Sequence, residues 1–321
     1  MEKPESFKKY ETSRDFARPT PSILYHYTSP ESAKSILESN SFWATDCRYL
    51  NDPTEVLRNL EIADKRANLL FEEFGVSREE AASWNTERFL SDEAYRSAAV
   101  LTKLVPEPNM LSYLIDDLEV YIVSFSENGD SLSQWRAYCS SGGYALGFEP
   151  ENLSVLRAEL APCIYLNEDE IEEVFDYHLR ELVRERLGSS SVIPENITGE
   201  EWVSGIHYSL TDRVNQAYVG GIHDMATIIK DATFAEEREW RLVGKPGTMG
   251  KAEPFFPSLG EAHRVANNLL TPYAVFQLEK LPLKEVIVGP TRFGHLAERS
   301  IKRFLRDDNV DVKRTKTPYI S

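Results

Sequence analysis

The sequence has no hydrophobic run long enough to cross a membrane, and it has only three cysteines in 321 residues. No stretch approaches the roughly 18 uninterrupted apolar residues of a membrane helix, and residues 1–16 lack the apolar segment of a signal peptide. Cys47, Cys139 and Cys163 are scattered without metal-ligand spacing, and their odd number fits reduced thiols. We therefore expect a cytoplasmic protein with no membrane association, no disulfide framework and no metal.

Basic residues are scarce: 36 Lys and Arg stand against 52 Asp and Glu, which gives a formal net charge of −16. Nucleic acids and anionic membranes bind to basic surfaces, so we do not expect non-specific nucleic-acid binding. An anionic small-molecule ligand would need a local basic pocket. The sequence also lacks internal repeats and low-complexity segments, which argues against a repeat architecture.

The remaining composition is that of an ordinary globular protein, with 41% hydrophobic and 27% charged residues. Residues 1–20 are polar and show no sustained period, which predicts a flexible N-terminal arm. Residues 21–321 contain β-rich stretches in three separated regions, with helical patterns at about 55–118 and 167–232. We predict a single α+β domain in which the helical segments are insertions.

The first candidate site is LYHYTS, residues 24–29. Its alternation predicts a strand in which His26 faces away from the two flanking tyrosines. Ser29 is a suitable N-cap, and Pro30 a suitable first residue, for the helix that follows. The side chains of His26 and Thr28 can hydrogen-bond sugar hydroxyls or an amide. The alternative, that His26 only satisfies a loop carbonyl, stays open.

The second candidate is SLSQWRAYC, a short predicted helix. Trp135 and Tyr138 are three residues apart and share one helix face, whereas Arg136 projects differently. Aromatic rings can stack on a flat heterocycle, and an arginine can bind phosphate in bidentate fashion. Alternatively, both rings are core residues that anchor the helix to the sheet.

The third candidate is TFAEEREWRLVGK. As a strand it places Glu237, Glu239 and Arg241 on one face and Trp240 and Leu242 on the other. One carboxylate can stabilise positive charge at a sugar carbon while a second orients or deprotonates a nucleophile. The alternative is a solvated row of cross-strand ion pairs, which is a weak stabiliser.

These motifs resemble those of a bacterial family known as domain-of-unknown-function family 2971. The similarity spans roughly residues 22–290. It rests on YHYTS, ATDCRYLNDPTE, VSFSENGDSLSQWRAYCSSGGYALGFE, FAEEREWRL and LKEVIVGP.

The chain order of histidine, aromatic residue and glutamate also resembles the ADP-ribosyltransferase superfamily. That resemblance implies a split, mostly antiparallel β-sheet core, here with helical insertions, that holds NAD in a cleft. It implies a catalytic role for Glu239, with Glu237 helping to select the acceptor. It further implies NAD contacts from His26 to the ribose, from Tyr138 or Trp135 to nicotinamide, from Thr28 at a small or hydroxyl position, and from Arg136 or Arg241 as local positive charge.

The leading functional hypothesis is therefore an NAD-dependent ADP-ribosyltransferase or NAD glycohydrolase, in which Glu239 stabilises an oxocarbenium-like ribose. The acceptor would be protein, nucleic acid or water, with nucleic acid disfavoured by the net charge. One alternative is a non-catalytic nucleotide-sensing or protein-interaction module in a bacterial stress or phage-defence system. Another is a carboxylate-pair hydrolase acting on a different glycosidic bond. The sequence does not indicate an oligomeric state.

Overall fold

The computed structural model falls into two compact units. The helical unit comprises Met1–Glu11, Pro53–Leu118 and Leu166–Asp231, and the sheet unit comprises Thr12–Asp52, Glu119–Tyr165 and Ala232–Ser321. Both segments predicted as helical insertions contribute to the helical unit. The structure describes residues 2–8, 20–50, 54–83, 85–104, 120–139, 142–153, 155, 158–189, 222, 225–244, 262–266, 268–306 and 309–318.

The helices and strands alternate irregularly along the chain. The helices are α1 (Pro30–Ser39), α2 (Thr54–Phe74), α3 (Arg78–Ala82), α4 (Thr86–Ser91), α5 (Glu93–Leu104), α6 (Leu132–Tyr138), α7 (Glu168–Ser189) and α8 (Gly294–Leu305). The strands are β1 (Leu24–Thr28), β2 (Ser41–Asp46), β3 (Tyr121–Ser126), β4 (Tyr144–Phe148), β5 (Ala158–Pro162), β6 (Ile164–Leu166), β7 (Ile229–Asp231), β8 (Glu239–Gly244), β9 (Ala262–Ala266), β10 (Leu269–Gln277), β11 (Leu283–Val288) and β12 (Asp311–Arg314).

The helical unit is built on α2, α5 and α7, which pack on one another. Helix α2 buries Leu60, Ala63, Ala67 and Leu70, whose spacing of three and four residues forms one apolar stripe. Within the stretch predicted as an arm, residues 5–8 form a helical turn. No helix of the described ranges combines the length and apolarity needed to cross a bilayer.

The sheet unit contains a large sheet with the strand order β12-β11-β4-β1-β3-β2-β10-β9, while β8 pairs with β3 and β5 pairs with β8. Strands β11 and β12 are parallel, and the other pairs in this sheet are antiparallel. The predicted α+β class with a mostly antiparallel sheet is therefore confirmed.

One face of this sheet carries its main hydrophobic core. Phe42 lies edge-on to Phe125 and Phe148, with ring centroids 5.5 and 5.2 Å away. Trp240 and Leu242 of β8 belong to the same buried cluster. Because strand residues alternate between faces, their neighbours Glu239 and Arg241 lie on the opposite face.

Helix α1 begins as its sequence predicts. The Oγ atom of Ser29 accepts a hydrogen bond from the backbone nitrogen of Ser32 at 3.2 Å, and Pro30 is the first helical residue. Ala33 and Ile36 are buried in the core beneath the helix. This capped start ends strand β1 directly after Thr28.

Gly143, directly before β4, lies where the end of α6 packs closely against β1. A Cβ atom on Gly143 would overlap the carbonyl oxygen of Thr28 and lie 2.8 Å from the Sγ atom of Cys139. We expect Gly143→Ala to lower the free energy of unfolding by about 1–3 kcal/mol, measured by urea denaturation, because a backbone atom cannot move aside cheaply. The matched control is Gly294→Ala, whose nearest new neighbour is Arg314 Cδ at 3.5 Å. The control should be neutral or slightly stabilising, and equal losses in the two variants would contradict this packing.

Candidate functional site

The sheet divides along one edge of β3. Strand β8 pairs with β3 from Tyr121 to Ser126. On the other edge, β2 pairs only with Tyr121 and Ile122, and β1 pairs only with Ser126. Among the described strands, none pairs with residues 123–125 on that edge. We call this interval between β1 and β2 the split.

His26 lies at the split. Its Nδ1 atom is 2.9 Å from the carbonyl oxygen of Ser124, and its ring packs near Phe42 and Phe125, with centroids 5.7 and 5.8 Å away. A carbonyl oxygen only accepts hydrogen bonds, so Nδ1 carries the proton. The imidazole thus takes the place of a strand partner for Ser124, and it lies on the face away from Tyr25 and Tyr27, as predicted.

The electrostatic setting of His26 keeps the ring neutral. Burial lowers the pKa of His26, the hydrogen bond to Ser124 opposes this shift, and the positive charge of Arg264 lowers the pKa further. A neutral ring with its proton on Nδ1 leaves a lone pair on Nε2. Within the described part of the chain, Nε2 makes no hydrogen bond. It is therefore a fixed acceptor for a ligand hydroxyl.

Glu239 and Arg241 form a buried ion pair on β8. Arg241 Nε donates to Glu239 Oε1 at 2.9 Å, and Arg241 Nη2 donates to Oε2 at 3.3 Å. The side chains are 8% and 3% exposed, so the interpretation as a solvated ion-pair row does not hold for them. The prediction that both face away from Trp240 and Leu242 is confirmed. The carboxylate is thus held in one orientation, away from bulk water.

Glu237 does not continue this row. It ends a 3₁₀ turn, Ala232–Glu237, and β8 begins only at Glu239. Arg238 between them has a φ of 44°, in the left-handed region, which turns the chain before the strand starts. Glu237 instead accepts a hydrogen bond at its backbone carbonyl from Ser126 Oγ, at 2.7 Å. The predicted placement of both carboxylates on one strand face is wrong for this reason.

The candidate residues of helix α6 lie in different environments, one buried and two exposed. Trp135 is completely buried, donates from Nε1 to Asp130 Oδ1 at 2.8 Å and lies edge-on to Tyr27 at 4.7 Å, so it is a core residue. Tyr138 is 40% exposed, and Arg136 is exposed as well. The exposed ring of this helix is therefore Tyr138, which lies at the end of a helix packed on β1.

The strand register relates His26 to Glu239. Tyr25 lies opposite Ser126, and Ser126 lies opposite Glu239, so these three residues form a row across the sheet. His26 follows Tyr25 and bonds Ser124, two residues before Ser126 on β3. His26 and Glu239 thus approach the same segment of β3 from its two edges, but on opposite faces of the sheet, because Glu239 shares the face of Tyr25 and His26 points away from Tyr25. Thr28, at the far end of β1, is 7% exposed and is farther from that segment along the strand.

The structure adds residues that motif analysis did not find. On the far side of the split, Arg264 of β9 donates from Nη2 to Thr45 Oγ1 of β2 at 2.6 Å. Arg264 stands in a short segment, AHRVA, without any recognisable motif. Only the observed order of β2, β10 and β9 brings it to the split. The one available signal was that Thr45 belongs to the family-like motif ATDCRYLNDPTE.

Residues 134–242 match the family described as "Protein of unknown function (DUF2971)". This match bears out the motif-based resemblance to the family over that region. The matched region includes Tyr138, Glu239 and Arg241 but not His26. No curated protein and no solved structure matches the chain.

The depressed pKa of His26 predicts how stability depends on pH. The unfolded chain takes up a proton on this histidine below pH of about 6.5, whereas the folded ring resists protonation. Stability from this group is therefore present above that pH and is lost as pH falls toward the folded-state pKa. The free energy of unfolding should fall by an amount that approaches about 1.4 kcal/mol per pH unit.

The matched comparison is His26→Asn, whose amide can still donate to Ser124 but does not titrate. Urea denaturation between pH 7.5 and 5.5 should show a steeper loss of stability for the wild type than for the variant. Parallel curves would mean that the His26 ring takes up a proton as easily in the folded protein as in the unfolded chain.

Proposed function

We propose that this protein is an NAD-dependent ADP-ribosyltransferase or NAD glycohydrolase whose reaction takes place at the split. The observation that carries the proposal is the fixed, neutral imidazole of His26 at the point where β1 and β2 part. Its Nε2 acceptor suits a ribose hydroxyl. The divided antiparallel sheet also supports an ADP-ribosyltransferase-like fold.

The proposed reaction breaks the bond between the ribose carbon and the nicotinamide nitrogen, and the bonding electrons leave with nicotinamide. The ribose carbon gains positive charge, which the carboxylate of Glu239 stabilises. An acceptor oxygen or nitrogen then bonds to that carbon and releases its proton to water. Arg241 holds the carboxylate through two hydrogen bonds, so its orientation does not change during the reaction.

The other candidate residues take supporting roles in this proposal. Glu237 is partly exposed at the end of its turn, where it can meet an incoming acceptor. Tyr138 offers an exposed ring for nicotinamide, and the neighbouring Arg136 adds positive charge. The acidic chain disfavours nucleic acid as acceptor, which leaves a protein or water. We place the reaction in the cytoplasm.

One observation favours the non-catalytic alternative. The carboxylate of Glu239 is already paired with Arg241 in a buried setting, as is common for structural ion pairs. In that case the split would sense a nucleotide, or regulate a partner in a stress or phage-defence system, without cleaving the ligand. A sensor should keep its ligand affinity when Glu239 is neutralised, and it should have no turnover to lose.

The deciding variant is Glu239→Gln, which keeps the shape and an oxygen that accepts from Arg241. We expect nicotinamide release, followed by chromatography, to fall on the order of a hundredfold or more, because the charge opposite the developing cation is gone. NAD affinity, measured by calorimetry, should change much less.

Asp176→Asn is the matched control for loss of a carboxylate that is paired with arginine. Asp176 of α7, in the helical unit, is 18% exposed and accepts from Arg66 Nη2 at 2.7 Å and from Arg180 Nε at 2.8 Å. This control should keep nicotinamide release. Equal release from wild type and Glu239→Gln would remove the catalytic role, and NAD binding without any release would favour the sensor.

A further inference from the structure

Beyond His26 and Glu239, four side chains group on one face of the sheet, beside the split. Tyr273 of β10 lies opposite Thr45 of β2, and Val275 lies opposite Trp43, so Trp43, Thr45 and Tyr273 share a face. Arg264 of β9 reaches the same face, where it bonds Thr45. We call the group of Trp43, Thr45, Arg264 and Tyr273 the Trp43 face.

Arg264 lacks the anionic partner that a partly buried guanidinium normally has. Its Nε atom is buried and has no hydrogen-bond partner, and within the described residues it forms no ion pair. Burial lowers the pKa of Arg264. By contrast, Arg48, Arg180 and Arg241 each bind a carboxylate. In a chain with a net charge of −16, an unneutralised arginine of this kind indicates a place for an anion.

Aromatic rings lie next to this cation. Trp43 and Tyr273 are stacked, with centroids 4.8 Å apart and an interplanar angle of 25°, and the Arg264 guanidinium lies 5.9 Å from the Tyr273 ring centre. Trp43 remains 36% exposed, so its ring is not fully covered by protein. An exposed aromatic stack beside a guanidinium suits a flat heterocycle that carries phosphate.

We infer that the Trp43 face binds the base and phosphate of a nucleotide, with the base against Trp43 and a phosphate oxygen on Arg264. This inference rests on the proposed function for the identity of the ligand, which would be the adenosine diphosphate half of NAD. The phosphate would accept from the Arg264 guanidinium, which forms no ion pair within the described residues. The aromatic stack and the guanidinium therefore place the adenosine end of the dinucleotide over β2.

The distance along the sheet fits this orientation. Thr45 is opposite Ile122 on β3, and Glu239 is opposite Ser126, four residues along the same strand. Four residues along and two strand spacings across correspond to roughly 16 Å between the backbones of Thr45 and Glu239. An extended dinucleotide can bridge that length, with its nicotinamide ribose at Glu239 and its adenosine at Trp43, because Thr45, Trp43 and Glu239 share one face of the sheet.

The test compares Arg264→Gln with the wild type by calorimetry, using ADP, adenosine and NAD as separate probes. Arg264→Gln should weaken ADP binding on the order of tenfold or more, because charge-assisted hydrogen bonds to phosphate are lost. Adenosine has no phosphate, so its affinity should not change. Trp43→Leu should weaken both ligands by about tenfold through lost stacking.

Two comparisons check that the variants still fold. Arg264→Gln removes a partly buried charge without an ion-pair partner, so its melting temperature should be unchanged or higher. Arg303→Gln, on the exposed surface of α8, is the matched control and should bind ADP as the wild type does. Arg264→Lys keeps the charge and should retain part of the ADP affinity.

The outcomes separate this inference from the proposed reaction. The inference that the Trp43 face binds a nucleotide would be overturned if the wild-type protein bound no ADP at millimolar concentration. It would also be overturned if Arg264→Gln left the ADP affinity unchanged, even if Glu239-dependent nicotinamide release were found. Arg264-dependent ADP binding without nicotinamide release would support the Trp43 face while the enzymatic proposal failed.

Discussion

The hydrogen bond between His26 Nδ1 and the Ser124 carbonyl is the interaction on which the proposed site depends. At this point a backbone group of β3 has no strand partner, and an unsatisfied buried carbonyl would be costly. The imidazole satisfies the carbonyl and so allows β1 and β2 to part. The same bond fixes the tautomer of the imidazole, so that Nε2 remains a hydrogen-bond acceptor at the split.

The two tyrosines beside His26 hold β1 in the orientation that this bond requires. The Tyr27 hydroxyl donates to the carbonyl of Asn128 at 2.6 Å and accepts from the backbone nitrogen of Ser131 at 2.9 Å. The Tyr25 hydroxyl binds Glu285, which also binds Lys313. Both tyrosines are anchored on the face opposite the main hydrophobic core, so strand alternation directs His26 toward that core. The site is therefore built from ordinary strand geometry with polar anchors at its edges.

Local features of this arrangement follow from the sequence, whereas its long-range features do not. The Ser29 cap, the alternation around His26 and the shared face of Glu239 and Arg241 depend on neighbouring residues, and patterns of two or three residues predict them. The turn that removes Glu237 from the row depends on a left-handed Arg238, which few sequence signals reveal. The burial of Trp135 and the position of Arg264 depend on which distant strands pair. Periodicity does not encode that order.

The most direct test of a nucleotide site at the split is ¹⁵N NMR of histidine-labelled protein near neutral pH, with and without NAD. The His26→Asn variant assigns the His26 signals. The account predicts that Nδ1 is protonated, that Nε2 is unprotonated, and that the Nε2 signal shifts on addition of NAD as a ribose hydroxyl donates to it. A proton on Nε2 in the free protein, or an Nε2 signal that does not respond to saturating NAD, would contradict it.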